Sequence, residues 1–191
     1  MTICVFASSS SQIDERYVDA ASELGSLLAR EGMNVIYGGG GIGLMGVLAD
    51  SVMGNGGSIT GVIPSFMSDE GWGHPRVIDM IVTTDMGDRK KNMFSRANAV
   101  VALPGGIGTL EELTEAITLK QLGLFKGPVV ILNTLGFYIS FIDLLEHMIS
   151  GNFLRKEHKE MWEIADTPEA VITALKNNRE WMNDPRKIAR I

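Results

Sequence analysis

Short apolar runs alternate along almost the whole chain with longer stretches in which apolar residues recur every three to four positions. The short runs, bounded by glycine, proline or polar residues, predict buried strands at 3–7, 33–37, 58–63, 77–83, 98–103 and 128–132. The helical period predicts a helix at 14–30, where Tyr17, Ala20, Ala21, Leu24, Leu27 and Leu28 share one face, and further helices at 44–53, 86–97, 109–122 and 137–149. A short segment at 155–159, an edge strand at 162–165 and a helix at 168–177 close the pattern. Residues 64–75 follow neither period and read as a loop or short lid. Strands and helices in strict alternation predict an α/β fold, a doubly wound parallel sheet with helices on both faces. With 191 residues the expectation is one domain spanning 1–191, with its core at about 3–175 and a basic, polar tail at 184–191.

Composition narrows the partners. Seventeen basic against twenty-three acidic side chains leave a net charge of −6, which argues against nucleic-acid polymers and anionic membranes. Any anion site must therefore be local. The one cysteine, Cys4, lies in the first predicted strand and reads as core packing in a reducing compartment. No apolar run reaches the ~18 residues of a membrane span, and the start of the chain lacks the pattern of a secretory signal. The expected location is cytoplasmic.

The candidate chemistry gathers at the ends of predicted strands. After the fifth strand, Pro104-Gly105-Gly106-Ile107-Gly108-Thr109-Leu110-Glu111-Glu112 gives a glycine turn leading into a helix, so free amide N–H groups and the positive helix end form an anion site. Thr109 is expected at the N-cap. Thr109-x-x-Glu112 is then also a capping box, and from these residues alone Glu112 is either a cap or a catalytic carboxylate. After the second strand, residues 38–46 form another glycine loop, with Gly40, Gly41 and Gly43 as candidate phosphate contacts. It contains G-x-G-x-x-G twice, but the loop follows the second strand, and no acidic residue stands about 20 positions on, at Ile63-Pro64, to hold a ribose. A mononucleotide suits it better than NAD. After the first strand, the serine run places Ser8 and Ser9 as candidate hydroxyl contacts beside its plain reading as a capping turn. Arg89 and Lys90 fall on the inward side of a helix start, where the dipole disfavours cations. They either snorkel to water or face a phosphate or carboxylate. His74, alone in the aperiodic stretch, reads as a solvated side chain. No clustered His or Cys and no H-E-x-x-H spacing predicts a metal site, and no cofactor is expected.

Met86-x-x-Arg89-Lys90 and Pro104-Gly105-Gly106-x-Gly108-Thr109-x-x-Glu112, with the glycine loop at 38–46 upstream, resemble the LONELY GUY family of cytokinin-activating phosphoribohydrolases, which are often mislabelled lysine decarboxylases. The resemblance runs from Ile3 to about Leu175. It implies a homodimeric Rossmann-like fold that hydrolyses the N-glycosidic bond of a purine nucleoside 5′-monophosphate to the free base and ribose 5-phosphate. By that similarity Arg89 and Glu112 form the catalytic pair, while Lys90, the segment Gly106, Ile107, Gly108, Thr109, Leu110, Glu111 and Glu112, and Thr118 contact the nucleotide, with Gly105 in the same loop. The chain departs from the family pattern at Gly87-Asp88, where His-Glu is usual, at Leu119, where tryptophan is usual, and at Phe66, where plant members have a substrate-contacting glutamate. Those departures make plain AMP as good an expected substrate as a prenylated one. The rival expectation is a binding protein without turnover, a nucleotide or molybdenum-cofactor carrier, in which Glu112 is only the cap.

Overall fold

A computed structural model describes residues 1–177. The expected tail at 184–191 lies outside the described residues. In chain order the elements are β1 (Thr2–Phe6), α1 (Glu15–Arg30), β2 (Asn34–Tyr37), α2 (Gly43–Gly54), β3 (Ile59–Pro64), α3 (Ser65–Asp69), β4 (Met80–Thr83), α4 (Met86–Arg96), β5 (Ala99–Ala102), α5 (Ile107–Gln121), β6 (Val129–Leu132), α6 (Ile139–Ser150), β7 (Glu163–Ala165) and α7 (Pro168–Asn177). The strands form one seven-stranded sheet in the order β4-β3-β2-β1-β5-β6-β7, and every pairing is parallel. The doubly wound expectation holds.

Side chains along each strand divide between two cores, because successive residues point to opposite faces of a sheet. Ile3 and Val5 of β1 join Leu24, Leu28, Leu48, Val52 and Val171 from α1, α2 and α7. Cys4 and Phe6 join Met93, Leu113, Ile117 and Leu145 from α4, α5 and α6 on the other face. Strands buried on both sides explain why their sequences are continuous apolar runs. No helix among the described residues is long and apolar enough to cross a membrane.

Chain order reverses direction at β1, whose neighbours are β2 on one side and β5 on the other. Connections leave these two neighbours in opposite directions, which opens a crevice beyond the carboxyl ends of the central strands, where ligands bind in open α/β sheets. Three loops meet there. The Ser8 N–H donates to the Pro104 carbonyl (3.3 Å), and the Met45 N–H donates to the Ser8 carbonyl (3.2 Å), tying the loops after β1, β2 and β5 together.

Two local expectations are corrected. The stretch 64–75 is not all loop. It opens with the helical turn α3, and its remainder is strapped across the second glycine loop by a bridge between Gly40 and Gly73 and by hydrogen bonds from Gly41 N–H to Trp72 O (3.1 Å) and from His74 N–H to Gly39 O (2.9 Å). His74 is not solvated either. It is buried, its Nε2 lies 2.9 Å from an Asp50 carboxylate oxygen, and its Nδ1 accepts the Arg76 N–H at 3.2 Å. A histidine inside an aperiodic polar stretch gives no periodic signal of burial, since its partners arrive from α2 and the backbone.

Candidate functional site

The crevice is a cleft of about 610 Å3, within the range of small-ligand sites. Its polar side is built from Ser8, Ser9 and Ser10 after β1 and from Gly106, Ile107, Gly108, Thr109, Glu111 and Glu112 at the start of α5; Arg89 from α4 lies at its floor. Its other side comes from the second glycine loop, α2 and the strap.

The start of α5 differs from the sequence expectation. The helix begins at Ile107 with Gly106 as its N-cap, and no side chain caps it. Thr109 is therefore the third helical residue, and the expected capping box does not form. The pattern misleads because three glycines let the helix begin two residues before the first side chain able to cap it. Helical geometry leaves the N–H groups of Ile107, Gly108 and Thr109 without intrahelical acceptors, and all three residues line the cleft. An uncapped helix start of this kind favours an anion locally, whatever the net charge of the protein. The start of α2 is less open, since the Met45 N–H is already bonded to the Ser8 carbonyl. Gly43 opens that helix with φ +67°, its Cα pressed against the Ser9-Ser10 backbone so closely that a Cβ would lie 2.5 Å from the Ser10 carbonyl oxygen. Its role is to dock α2 onto the serine loop.

With the cap removed, Glu112 has another partner. The Arg89 Nη1 donates to Glu112 Oε1 at 2.6 Å, its Nε donates to the Val62 carbonyl at 3.1 Å, and its Nη2 donates to the Gly38 carbonyl at 3.4 Å. Both side chains are buried, 8% and 9% exposed. The guanidinium occupies the space where a Cβ on residue 38 would be, 2.1 Å from Nη2, so Gly38 provides its seat. Arg89 therefore does not snorkel. Burial raises the Glu112 pKa most strongly; the Arg89 charge and hydrogen bond pull it down, Glu111 pushes it up, and the net direction is upward. The Cys4 thiol beneath the pair is also pushed up, by burial first and by the Glu112 charge second.

Of the other expected contacts, Ser8, Ser9, Gly40, Gly41, Gly106, Ile107, Gly108, Thr109 and Glu111 line the cleft, whereas Gly43, Lys90, Gly105, Leu110 and Thr118 do not. Lys90 bonds Glu111 and lies 2.7 Å from Glu115. Burial works against its charge, but these carboxylates outweigh that and raise its pKa. The Thr118 hydroxyl donates to the Thr114 carbonyl at 2.8 Å. Sequence reasoning missed Ser10, Ile42, Met45, Met67, Trp72 and Met86 in the lining. Met45 and Met86 lie within motifs already identified but were given no role there, and Met67 and Trp72 carry no motif. Among the described residues no three His, Cys, Asp or Glu side chains converge as a metal site.

Comparison with known proteins adds four findings. A family model described as "Possible lysine decarboxylase" matches residues 45–175. The rice protein (Oryza sativa subsp. japonica) named Cytokinin riboside 5′-monophosphate phosphoribohydrolase LOG is 41% identical over 174 residues, which cover 91% of this chain and 72% of the relative. A protein of the same enzyme name from Arabidopsis thaliana is 35% identical over 173 residues, 91% of this chain and 76% of the relative. Among solved structures, the molybdenum cofactor carrier protein of Chlamydomonas reinhardtii superposes with a TM-score of 0.71 at 24% identity, covering 92% of this chain and 96% of the carrier, a likeness of fold.

Proposed function

Since the chain belongs to the LONELY GUY phosphoribohydrolase family, we propose that it hydrolyses the N-glycosidic bond of a purine nucleoside 5′-monophosphate, releasing the base and ribose 5-phosphate. The observation that carries this reading is the buried Arg89–Glu112 pair at the floor of a cleft whose rim is the uncapped N-terminus of α5. The N–H groups of residues 107–109 hold the 5′-phosphate. Glu112 lies on the same helix about 5 to 6 Å further along by helical rise, of the order of one ribose, so its carboxylate reaches the anomeric carbon when the phosphate is held. Breaking the C1′–N bond leaves its electron pair on the base and positive charge on the ribosyl ring. Glu112 stabilises that charge and takes a proton from the water that adds to C1′, and the proton passes on to the departing base, which leaves neutral while the carboxylate is restored. Arg89 orients the carboxylate and favours its ionised form. Ser8 and Ser9 contact the phosphate or ribose hydroxyls.

Lysine decarboxylation fits the cleft poorly. A pyridoxal phosphate enzyme needs a lysine for its Schiff base, and among the described residues the one basic side chain in the lining is Arg89, engaged with Glu112. The finer parts of the reading are that AMP and N6-substituted AMP are both substrates, that the protein works as a cytoplasmic homodimer, and that it needs neither metal nor cofactor. Liquid chromatography of incubations with AMP and adenosine tests it: AMP should yield free adenine with or without EDTA. Adenosine should react roughly 100-fold more slowly or worse, because it forfeits the charge-assisted bonds to the phosphate. Equal turnover of the two, or intact AMP after hours with micromolar protein, would overturn it.

A further inference from the structure

The wall of the cleft opposite α5 differs in chemistry from the rest. Ile42, Met45, Ile63, Met67 and Trp72 line it with no carboxylate, amide or hydroxyl among them, whereas Thr109, Glu111 and Glu112 line the cleft from α5, and the serine loop lies between the two, bonded to Met45 through the Ser8 carbonyl. Trp72 is 53% exposed at the mouth, with Ile42 at 58% beside the same loop. A single exposed ring would mean little, but Trp72 belongs with Ile42, Met45, Ile63 and Met67 to one apolar lining at the rim of a cleft, and a grouped apolar surface of that kind marks a place that something covers.

Trp72 is held in position. Its N–H donates to the Met67 carbonyl at 3.0 Å, its carbonyl accepts the Gly41 N–H at 3.1 Å, and the next residue, Gly73, bridges to Gly40. Its backbone is thus fixed on both sides, to α3 through the N–H and to the second glycine loop through the carbonyl and Gly73, so the ring keeps only its two side-chain torsions. An anchored aromatic binds with little loss of freedom.

The Arg89 guanidinium supplies the scale. It reaches Glu112 with one nitrogen and the Gly38 carbonyl with the other, so the reacting carboxylate and the start of the apolar wall are one guanidinium apart. A nucleotide with its phosphate on α5 and its anomeric carbon at Glu112 has one direction left for its base, away from the phosphate and along this wall. Resting on the hydrolase reading above, we propose that Trp72 is a specificity-determining residue: its indole face covers the base of the bound nucleotide, so the site selects a large flat purine by contact area rather than by reading its hydrogen-bonding edge.

The test compares the full-length protein with Trp72→Phe and Trp72→Ala. AMP, CMP and ribose 5-phosphate are measured by equilibrium binding, and AMP also by turnover. Base-on-aromatic stacking of ordinary strength makes the expected loss of AMP affinity in Trp72→Ala about tenfold or more, with the AMP-over-CMP preference shrinking in proportion. Ribose 5-phosphate should bind all three proteins alike, and Trp72→Phe should keep most of the preference. AMP should also quench tryptophan emission in the parent protein and not in Trp72→Phe, which retains Trp162 and Trp181. An unchanged AMP-to-CMP ratio in Trp72→Ala overturns the proposal, as does an equal loss for ribose 5-phosphate, which would mean general damage to the cleft. If the parent binds AMP but never cleaves it, the hydrolase reading falls alone, since the three binding constants still decide where the base lies.

Discussion

Arg89 and Glu112 are two charged side chains taken out of water, and each is tolerable only because of the other. A buried pair adds little net stability, yet removing one partner costs several kcal/mol because the remaining charge is stranded. Glu112→Gln should therefore lower unfolding stability by about 2 to 3 kcal/mol, the amide still reaching Arg89 but leaving its charge uncompensated. The double variant Arg89→Met, Glu112→Leu should recover most of that loss. Activity should not follow stability: kcat should fall by roughly 100-fold or more in both. Unfolding midpoint and kcat measured on the same preparations separate the two effects, and near-normal kcat in Glu112→Gln would remove the carboxylate from the mechanism. The Glu112 pKa is raised, so the acid limb of the kcat profile should fall above the ordinary glutamate range, activity being present above it and lost as pH drops through it. Both residues were visible in the sequence as motif positions. The family resemblance paired them, but the residues alone did not, because Thr109-x-x-Glu112 satisfies a capping rule as well, and only the true start of α5 at Ile107 decides between the two.

The helices and strands that carry the site were legible because burial on both faces of a parallel sheet writes continuous apolar runs into β1, β2, β5 and β6, and because α1 and α7 show one apolar stripe each. The strap from Gly71 to Arg76 was not legible, since it is held by backbone bonds and by a side-chain contact to a residue about 25 positions earlier in sequence. His74 is the pin of that strap. It joins Asp50 of α2 at Nε2 and the Arg76 N–H at Nδ1, while its own N–H holds Gly39. The two ring nitrogens can be tested apart, because asparagine places an acceptor near the Nδ1 position and glutamine a donor near the Nε2 position. His74→Ala should raise KM for AMP several-fold through loss of order in the Gly39–Gly41 wall, with kcat changed less because Arg89 and Glu112 are untouched. Rescue of KM by Asn or Gln would identify which bond positions the loop. Equal falls in kcat and kcat/KM would instead place His74 in the chemical step.

Across the whole molecule, the position of the cleft follows from topology. Strand order β4-β3-β2-β1-β5-β6-β7 puts the reversal between β1 and its two neighbours, and the three loops that carry serines, glycines and the α5 start emerge there together. Alternation of strands and helices foretells such a crevice in general terms. Which strands flank it was not readable from local pattern, because strand order is decided by packing between segments far apart in sequence. The chain also leaves more apolar surface uncovered than the cleft accounts for: Phe153 is 81% exposed, Leu124 72%, Ile139 55% and Leu122 53%. Single exposed apolar residues need no explanation, but several large ones at and beyond the ends of two helices favour a partner surface. This supports the proposed homodimer. Sedimentation of the purified protein at micromolar concentration should give a species of twice the 20.8 kDa chain mass, and Phe153→Glu or Leu124→Glu should shift it toward one chain if those residues lie in the contact. A monomer at all concentrations, with AMP turnover intact, would show that the site is complete within one chain and that the exposed residues serve some other contact.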